Sequence, residues 1–266
     1  MGLISYMLGA EPYLHMGGDT GCLVLHGFTA SPAEVRWLAE HLAAQGHTVY
    51  APRLAGHGMT PADLARTRWP DWYATALDGY QMLRASCRRV VVVGHSMGGL
   101  LALLLASDQP VDGVAALAAP IRFTGQARYS RWINLVRRYT DQSDRTGFPE
   151  RLRQAQLTRG EPPTGRVRYD RWPMRAVTEL VTLSDTARAR LPQVCAPLLL
   201  VNSTADPTVT LSNADTIAAG VSSTDIERHT LHAGEHILPQ DVERETVFAL
   251  TAAFVARLAQ EKASGR

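Results

Sequence analysis

The sequence predicts an α/β fold: a mostly parallel central sheet with helices on both faces. Three observations carry this. Short apolar runs alternate along the chain with stretches of helical period. Several of those runs are continuously apolar, as strands buried on both faces require. The 266 residues are 45% hydrophobic and 20% charged, with 21 Gly and 15 Pro, which excludes collagen-like, low-complexity and disordered chains and suffices for a full core.

Taken in order, Cys22 to His26 (Cys-Leu-Val-Leu-His) reads as a buried strand ending in Gly27. Ser31-Pro32-Ala33-Glu34 has the form of a capping box with Pro at the first helical position, so a helix is expected to start there. Val35, Leu38, His41 and Leu42 keep its spacing, and Gly46 can end it in the left-handed conformation. His47 to Ala51 is the next strand, followed by the loop Gly56-His57-Gly58 and a helix from Pro70 or Asp71 to Ala85. Four consecutive valines, Val90 to Val93, give the strongest strand signal. They run into Gly94-His95-Ser96-Met97-Gly98-Gly99, and Leu100 to Ala106 continues as a helix. Val111 to Ala118 and Pro197 to Asn202 read as strands, Leu211 to Ala219 as a helix, Ile226 to Leu231 as a strand, and about Asp241 to Ala259 as a C-terminal helix.

One stretch breaks the alternation. Between Pro120 and about Arg190 only short helical fragments and turn signals such as Glu161-Pro162-Pro163 occur. Residues 121–190 are therefore expected to lie outside the sheet as a cap or lid inserted in a single domain spanning 1–266. From Ile121 to Arg175 there are 13 Arg against 5 acidic residues, an excess of 8 positive charges. That excess can draw acidic substrates or lipid surfaces, or simply follow the chain's preference for Arg, since Lys262 is the only lysine.

With a formal net charge of +2, nothing points to nucleic acid as a partner. Cys22, Cys87 and Cys195 are odd in number, far apart and flanked by apolar residues, so buried free thiols in a reducing compartment are expected. No Cys-x-x-Cys or His/Cys cluster suggests a metal. Met1 to Asp19 lacks Lys, Arg and a continuous apolar core, unlike a secretory signal. Tyr6 stands where myristoylation wants Ser or Thr. The longest nearly apolar run, Gly99 to Ala106, is far short of the roughly 18 residues a spanning helix needs. A cytoplasmic protein with no stable membrane insertion is the expectation.

The chemistry concentrates at Gly94-His95-Ser96-Met97-Gly98, a Gly-x-Ser-x-Gly between a buried strand and a helix. Such a turn holds its serine in a strained conformation above the sheet, and only very small residues two positions either side allow the close approach. Ser96 is thus the candidate nucleophile. Met97 follows it at a helix N-terminus, where an N–H favours a developing oxyanion. A second N–H is expected from the loop after the first strand, at Phe28 in His26-Gly27-Phe28-Thr29. A serine needs a base and an orienting carboxylate, in the chain order Ser, acid, His. Asp206, just after a late strand, fits better than Asp185 or Asp215, which read as surface charges. Of His229, His232 and His236, the last lies in the loop before the final helix and is the candidate base, with His232 as the alternative. His95 points away from Ser96 on this turn and reads as packing, and His57 as loop lining.

Leu25-His-Gly-Phe-Thr29, Gly56-His-Gly58, Gly94-His-Ser-Met-Gly-Gly99, Ala119-Pro120, the Asp206 segment and the His236 loop together resemble the small bacterial carboxylesterase and monoacylglycerol lipase group of the α/β-hydrolase family. The resemblance runs from about Gly21 onward and is weakest in the cap. It implies the α/β-hydrolase fold, a triad of Ser96, Asp206 and His236, an oxyanion hole at Phe28 and Met97, a small-molecule ester substrate and no cofactor. Glu235 is a departure, standing where the family has Gly before the catalytic His. The same triad also serves thioesterases, lactonases, carbon–carbon bond hydrolases and perhydrolases, and a non-catalytic ligand-binding relative has no need of all three residues. Trp132-Ile133 and Leu135-Val136 are expected to line the acyl site or pack the lid.

Overall fold

The computed structural model describes residues 6–123, 137–141 and 148–260. The strands β1 (Tyr13–His15), β2 (Thr20–Leu25), β3 (Thr48–Ala51), β4 (Arg89–His95), β5 (Gly113–Leu117), β6 (Tyr139–Asp141), β7 (Arg171–Pro173), β8 (Leu198–Ser203) and β9 (Ile226–Leu231) are interleaved with helices. These are α1 (Arg36–Ala44), α2 (Pro61–Arg66), α3 (Trp69–Ser86), α4 (Met97–Ala106), α5 (Phe148–Thr158), α6 (Met174–Arg190), α7 (Ser212–Gly220) and α8 (Arg244–Gln260). Seven strands form one sheet in the order β1-β3-β2-β4-β5-β8-β9, parallel except for β1 on β3. β6 and β7 pair antiparallel apart from it.

The valine run shows why the sheet is buried on both faces. Side chains alternate along a strand, so Val90 and Val92 enter one core with α3, α4 and α6, while Val91 and Val93 enter the other with α1 and α8. β2 divides in the same way, with Leu23 and Leu25 on one side and Cys22 and Val24 on the other. Helix α4 is buried along its whole length, which explains its uniformly apolar sequence.

Three sequence expectations are corrected. Ser31 does not cap a helix with its side chain; Pro32–Val35 is a 3-10 turn leading into α1, and the Glu34 carboxylate turns inward. Cys195 is exposed, because it lies after the turn Leu191–Gln193 and outside β8, whereas Cys22 and Cys87 are buried. The stretch before Arg190 holds a continuous 17-residue helix, α6, rather than short fragments. Its buried face (Met174, Val177, Leu180, Ser184, Ala187) keeps helical spacing, but small and polar residues dilute the signal. β1 and the short α2 had no sequence reading. Three residues carry too little period to register, although Thr60 and Asp63 form a full capping box on α2.

The segment between β5 and β8 is tied to the body by long-range polar contacts. Ser31 Oγ donates to the Val167 carbonyl at 3.1 Å, Tyr169 Oη to the Gly56 carbonyl at 2.7 Å, and Trp37 Nε1 to Glu161 at 2.7 Å. Several of its arginines face acids: Arg159 pairs with Glu40 and Glu161, and Arg171 with Asp141. Trp132, Ile133, Leu135 and Val136 lie outside the described residues.

Candidate active site

All candidate groups emerge at the carboxyl ends of β2, β4, β8 and β9, where loops of a parallel sheet converge. Ser96 links β4 to α4 with φ 53° and ψ −115°, in the left-handed half of backbone space that side chains avoid. The turn is enforced by contact. A Cβ on Gly94 would lie 2.1 Å from the Gly98 carbonyl oxygen, and one on Gly98 2.1 Å from that of Leu25. The Ser96 N–H donates to the Leu117 carbonyl at 2.8 Å, and the Ser96 carbonyl accepts from Gly99 at 2.9 Å. The strain is thus held by the sheet and by α4 together.

His236 Nε2 lies 3.0 Å from Ser96 Oγ, and its Nδ1 lies 2.8 Å from Asp206 Oδ2. The other Asp206 oxygen accepts the N–H groups of Thr208 and Val209 at 2.7 and 2.9 Å. Burial alone would push the Asp206 carboxyl up, but the hydrogen bond and charge of His236 and these amides hold it below its ordinary value. A carboxylate only accepts, so His236 carries its proton on Nδ1 and leaves Nε2 to accept the Ser96 O–H. His232 stands elsewhere, beside Thr204 at 3.4 Å.

The loop bearing His236 is anchored at each step. Glu243 accepts the N–H groups of His232, Ala233 and Gly234, and Asp241 that of Glu235. Ser203 Oγ donates to the Gly234 carbonyl. Glu235, the departure from the family pattern, lines the cavity.

On the opposite side, Gly27 to Thr29 passes close to Ser96, and Thr29 also has positive φ, 62°. Among the described residues, neither the Phe28 nor the Met97 N–H is taken by a protein acceptor. The Phe28 ring packs against His57, Trp72 and Trp172. Beneath this loop His26 and His57 are fully buried and in ring contact. Burial pushes the His26 imidazole down to about 4 and holds His57 well below its usual value.

A cavity of about 310 Å³ opens over Ser96, with Phe28, Phe123, Phe148, Trp172, Val177 and Leu180 as its apolar wall and Arg166 among its polar lining. Among the described residues no group of three or more His, Cys, Asp or Glu side chains is placed to hold a metal ion.

Sequence reasoning missed several residues around this site, among them Glu34 and His95. Glu34 was absorbed into a capping box, and His95 into packing. His95 is not mere packing but part of a polar network: Nδ1 lies 2.8 Å from Glu34 and Nε2 2.8 Å from the His236 carbonyl oxygen. A buried carboxylate seven residues after the Gly27 turn was the available signal, readable only with the fold in hand.

Sheet order, a strained serine after β4 and a histidine–aspartate pair beyond β8 and β9 define an α/β-hydrolase fold of the serine hydrolase class. The chain belongs to the family described as serine aminopeptidase, S33, whose model matches residues 19–243. It is 32% identical over 250 residues to a thermostable monoacylglycerol lipase of Bacillus sp. (strain H-257), covering 94% of this chain and 95% of that protein. It is 26% identical to a carboxylesterase of Bacillus subtilis (strain 168), covering 93% and 97%. Among solved structures, one from work on the metagenome-derived lipolytic enzymes LipS and LipT superposes with TM-score 0.85 at 30% identity, covering 95% of this chain and 100% of that one.

Proposed function

We propose that this protein is a serine hydrolase that cleaves carboxylic esters, as a carboxylesterase or monoacylglycerol lipase, through an acyl-enzyme on Ser96. The observation that carries the reading is the unbroken line from Ser96 Oγ to His236 Nε2 (3.0 Å) and from His236 Nδ1 to Asp206 (2.8 Å) at the mouth of a largely apolar cavity. The names of the relatives above support the substrate class.

In the reaction, His236 Nε2 takes the Ser96 proton as Oγ attacks the ester carbonyl carbon. The carbonyl π electrons move to oxygen, and the N–H groups of Phe28 and Met97 stabilise that charge; one such donor is worth about 2.7–4 kcal/mol. Collapse expels the alcohol, protonated by His236. Water then attacks the acyl-enzyme by the same path, releasing the acid and restoring the Ser96 hydroxyl. Asp206 fixes the imidazole tautomer and balances the charge it gains. Residues 121–190 act as a cap over the acyl site. The enzyme acts on small-molecule substrates in the cytoplasm, where free thiols persist, without nucleic acid as a partner. Among the described residues no helix is long and apolar enough to cross a membrane.

The test is hydrolysis of p-nitrophenyl esters from acetate to palmitate and of monoacylglycerols, with aminoacyl p-nitroanilides as the amide control. Ester turnover abolished in Ser96→Ala and His236→Ala is the expected result. A wild type inert on every ester, or a His236→Ala variant with full activity, overturns the reading.

A further inference from the structure

We propose that Glu34 and His95 form a positioning pair, one buried unit that fixes the oxyanion loop and the main chain of His236 relative to each other and so keeps His236 Nε2 within reach of Ser96. The proposal rests on the serine hydrolase reading above and assigns work to two residues that reading leaves idle.

The pair touches both halves of the site. Glu34 Oε1 accepts the Gly27 N–H at 2.7 Å and faces His95 Nδ1 at 2.8 Å, while Arg166 Nη2 stands 3.6 Å from Oε2. His95 Nε2 is 2.8 Å from the carbonyl oxygen of His236, 141 residues away in the chain. The side chains of Glu34 and His95 are 3% and 0% exposed.

The donor count fixes the charges. A carbonyl oxygen only accepts, so His95 Nε2 carries a hydrogen. Glu34 Oε1 already accepts the Gly27 N–H, and a guanidinium faces its other oxygen. The carboxylate is ionised, and His95 Nδ1 carries a hydrogen as well. Burial would push the Glu34 carboxyl up, but the charge and hydrogen bond of His95, then Arg166, hold it well below the usual carboxylate range. His95 is therefore an imidazolium inside the protein, neutralised by Glu34. Its ring centroid lies 5.2 Å from that of His236, and the neutralisation keeps it from opposing the charge His236 gains in the reaction.

Stability alone gives little reason for such a pair, because a buried ion pair often does no better than apolar side chains of the same volume. Geometry gives one. Asp206 holds the His236 imidazole at Nδ1, and His95 holds the main chain from which that imidazole hangs. Two anchors fix the direction of Nε2. Through Gly27 the same carboxylate fixes the turn that presents the Phe28 N–H. Misplacement by about 1 Å can cost about 10²-fold in rate.

Two measurements test this. In protein labelled with [15N]histidine, the His95 ring is expected to show two N–H protons at neutral pH in the wild type and one in Glu34→Gln; a single N–H in the wild type overturns the assignment. The second is the rate at which a fluorophosphonate labels Ser96, well below the melting temperature of each variant. His95→Ala and Glu34→Ala are expected to slow labelling by about 10²-fold. Glu34→Gln is expected to lie between Glu34→Ala and the wild type: its amide oxygen can accept the Gly27 N–H, but a neutral His95 that donates from Nε2 to His236 then turns a bare Nδ1 toward that same oxygen. Labelling of His95→Ala or of Glu34→Gln at the wild-type rate overturns the pair. Should His95→Ala fail to fold, the two Glu34 variants and the ring N–H count decide. A wild type that the probe does not label strikes the serine hydrolase reading itself, a result distinct from labelled variants with unchanged rates.

Discussion

The loop carrying Ser96 and the loop carrying His236 converge on one point above the sheet by opposite means. The first is set by steric contact: Gly94 and Gly98 each have backbone 2.1 Å from where a Cβ would stand, and no side chain from elsewhere is needed to hold the turn. In the second, the nearest atom to a Cβ on Gly234 would be 3.5 Å away, so packing does not dictate its course. Its successive N–H groups are instead taken by Glu243 and Asp241, and carbonyls are met by Ser203 and His95. Contact leaves its mark in adjacent residues, whereas polar anchoring is spread over the chain. The two loops should therefore fail differently.

Asp206→Asn attacks only the polar side and carries the largest expected effect. An asparagine can present its N–H₂ group to His236 and favour the wrong imidazole tautomer, so kcat for ester hydrolysis should fall by about 10⁴-fold with the fold intact. Steady-state kinetics beside a far-ultraviolet circular dichroism melt would check both halves. Loss of less than tenfold would mean that the imidazole is oriented by its loop rather than by Asp206.

Gly98→Ala attacks only the steric side. The opposing atom is the Leu25 carbonyl oxygen in the central strand pair, which cannot yield as a flexible side chain can. Overpacking of this kind costs about 3 kcal/mol or more, lowering the melting temperature by about 6–12 °C. Thermal unfolding measures this directly, and an unchanged melting temperature would show that the turn at Ser96 is looser than the contacts indicate.

The same contrast explains what the sequence reveals and hides. Strands β2, β4, β5 and β8 were legible because continuous apolar runs leave a local signature, and the turn at Ser96 was legible because its glycines flank Ser96 at fixed spacing. Asp206 and His236 are candidates by chain order and by their places after late strands, and the structure brings both to Ser96. Glu34 was misread because Ser-Pro-Ala-Glu has the form of a capping box. No local rule says that this carboxylate turns toward His95, 61 residues on, rather than back to Ser31. The anchors Asp241 and Glu243 were hidden for a similar reason: acidic residues just before α8 look like ordinary helix-start charges.

Glu243→Ala should be milder than either change above. It removes the acceptor of three N–H groups at 3.1, 2.7 and 2.7 Å, but the loop keeps Asp241, Ser203, His95 and the Asp206–His236 bond. A loss of about 1–3 kcal/mol in stability and about tenfold in kcat is expected, with Glu243→Gln intermediate. Amide hydrogen exchange at residues 232–234 localises the effect. Protection lost at Gly99 and Leu100 as well would mean that the two loops are not independently held.

The smallest effect concerns pH, where the two sides should separate by window. His26 and His57, under the Gly27–Thr29 loop, are held below their usual values by burial, so the unfolded chain binds protons that the fold refuses. Their contribution is complete above about 6.5 and is lost as pH falls toward the folded value of His26, about 4, at up to about 1.4 kcal/mol per pH unit for each. Glu243 is held low chiefly by the Gly234 N–H, and Asp206 by His236 and the Val209 and Thr208 amides against the opposing effect of burial. For both carboxylates, too, the folded value is depressed. Their contribution is complete above the ordinary carboxylate range near 4 and disappears only as pH falls below it. Urea midpoints should thus begin to fall just below pH 6.5 in the wild type and in Glu243→Gln alike. The two curves should converge only below about pH 4.5, where the wild type loses what the variant lacks already. The comparison is made in a His232→Gln background, because the His232 imidazole also lowers Glu243; a difference there that changes between pH 6.5 and 5 would couple Glu243 to the His26 and His57 side and break the separation of the two loops.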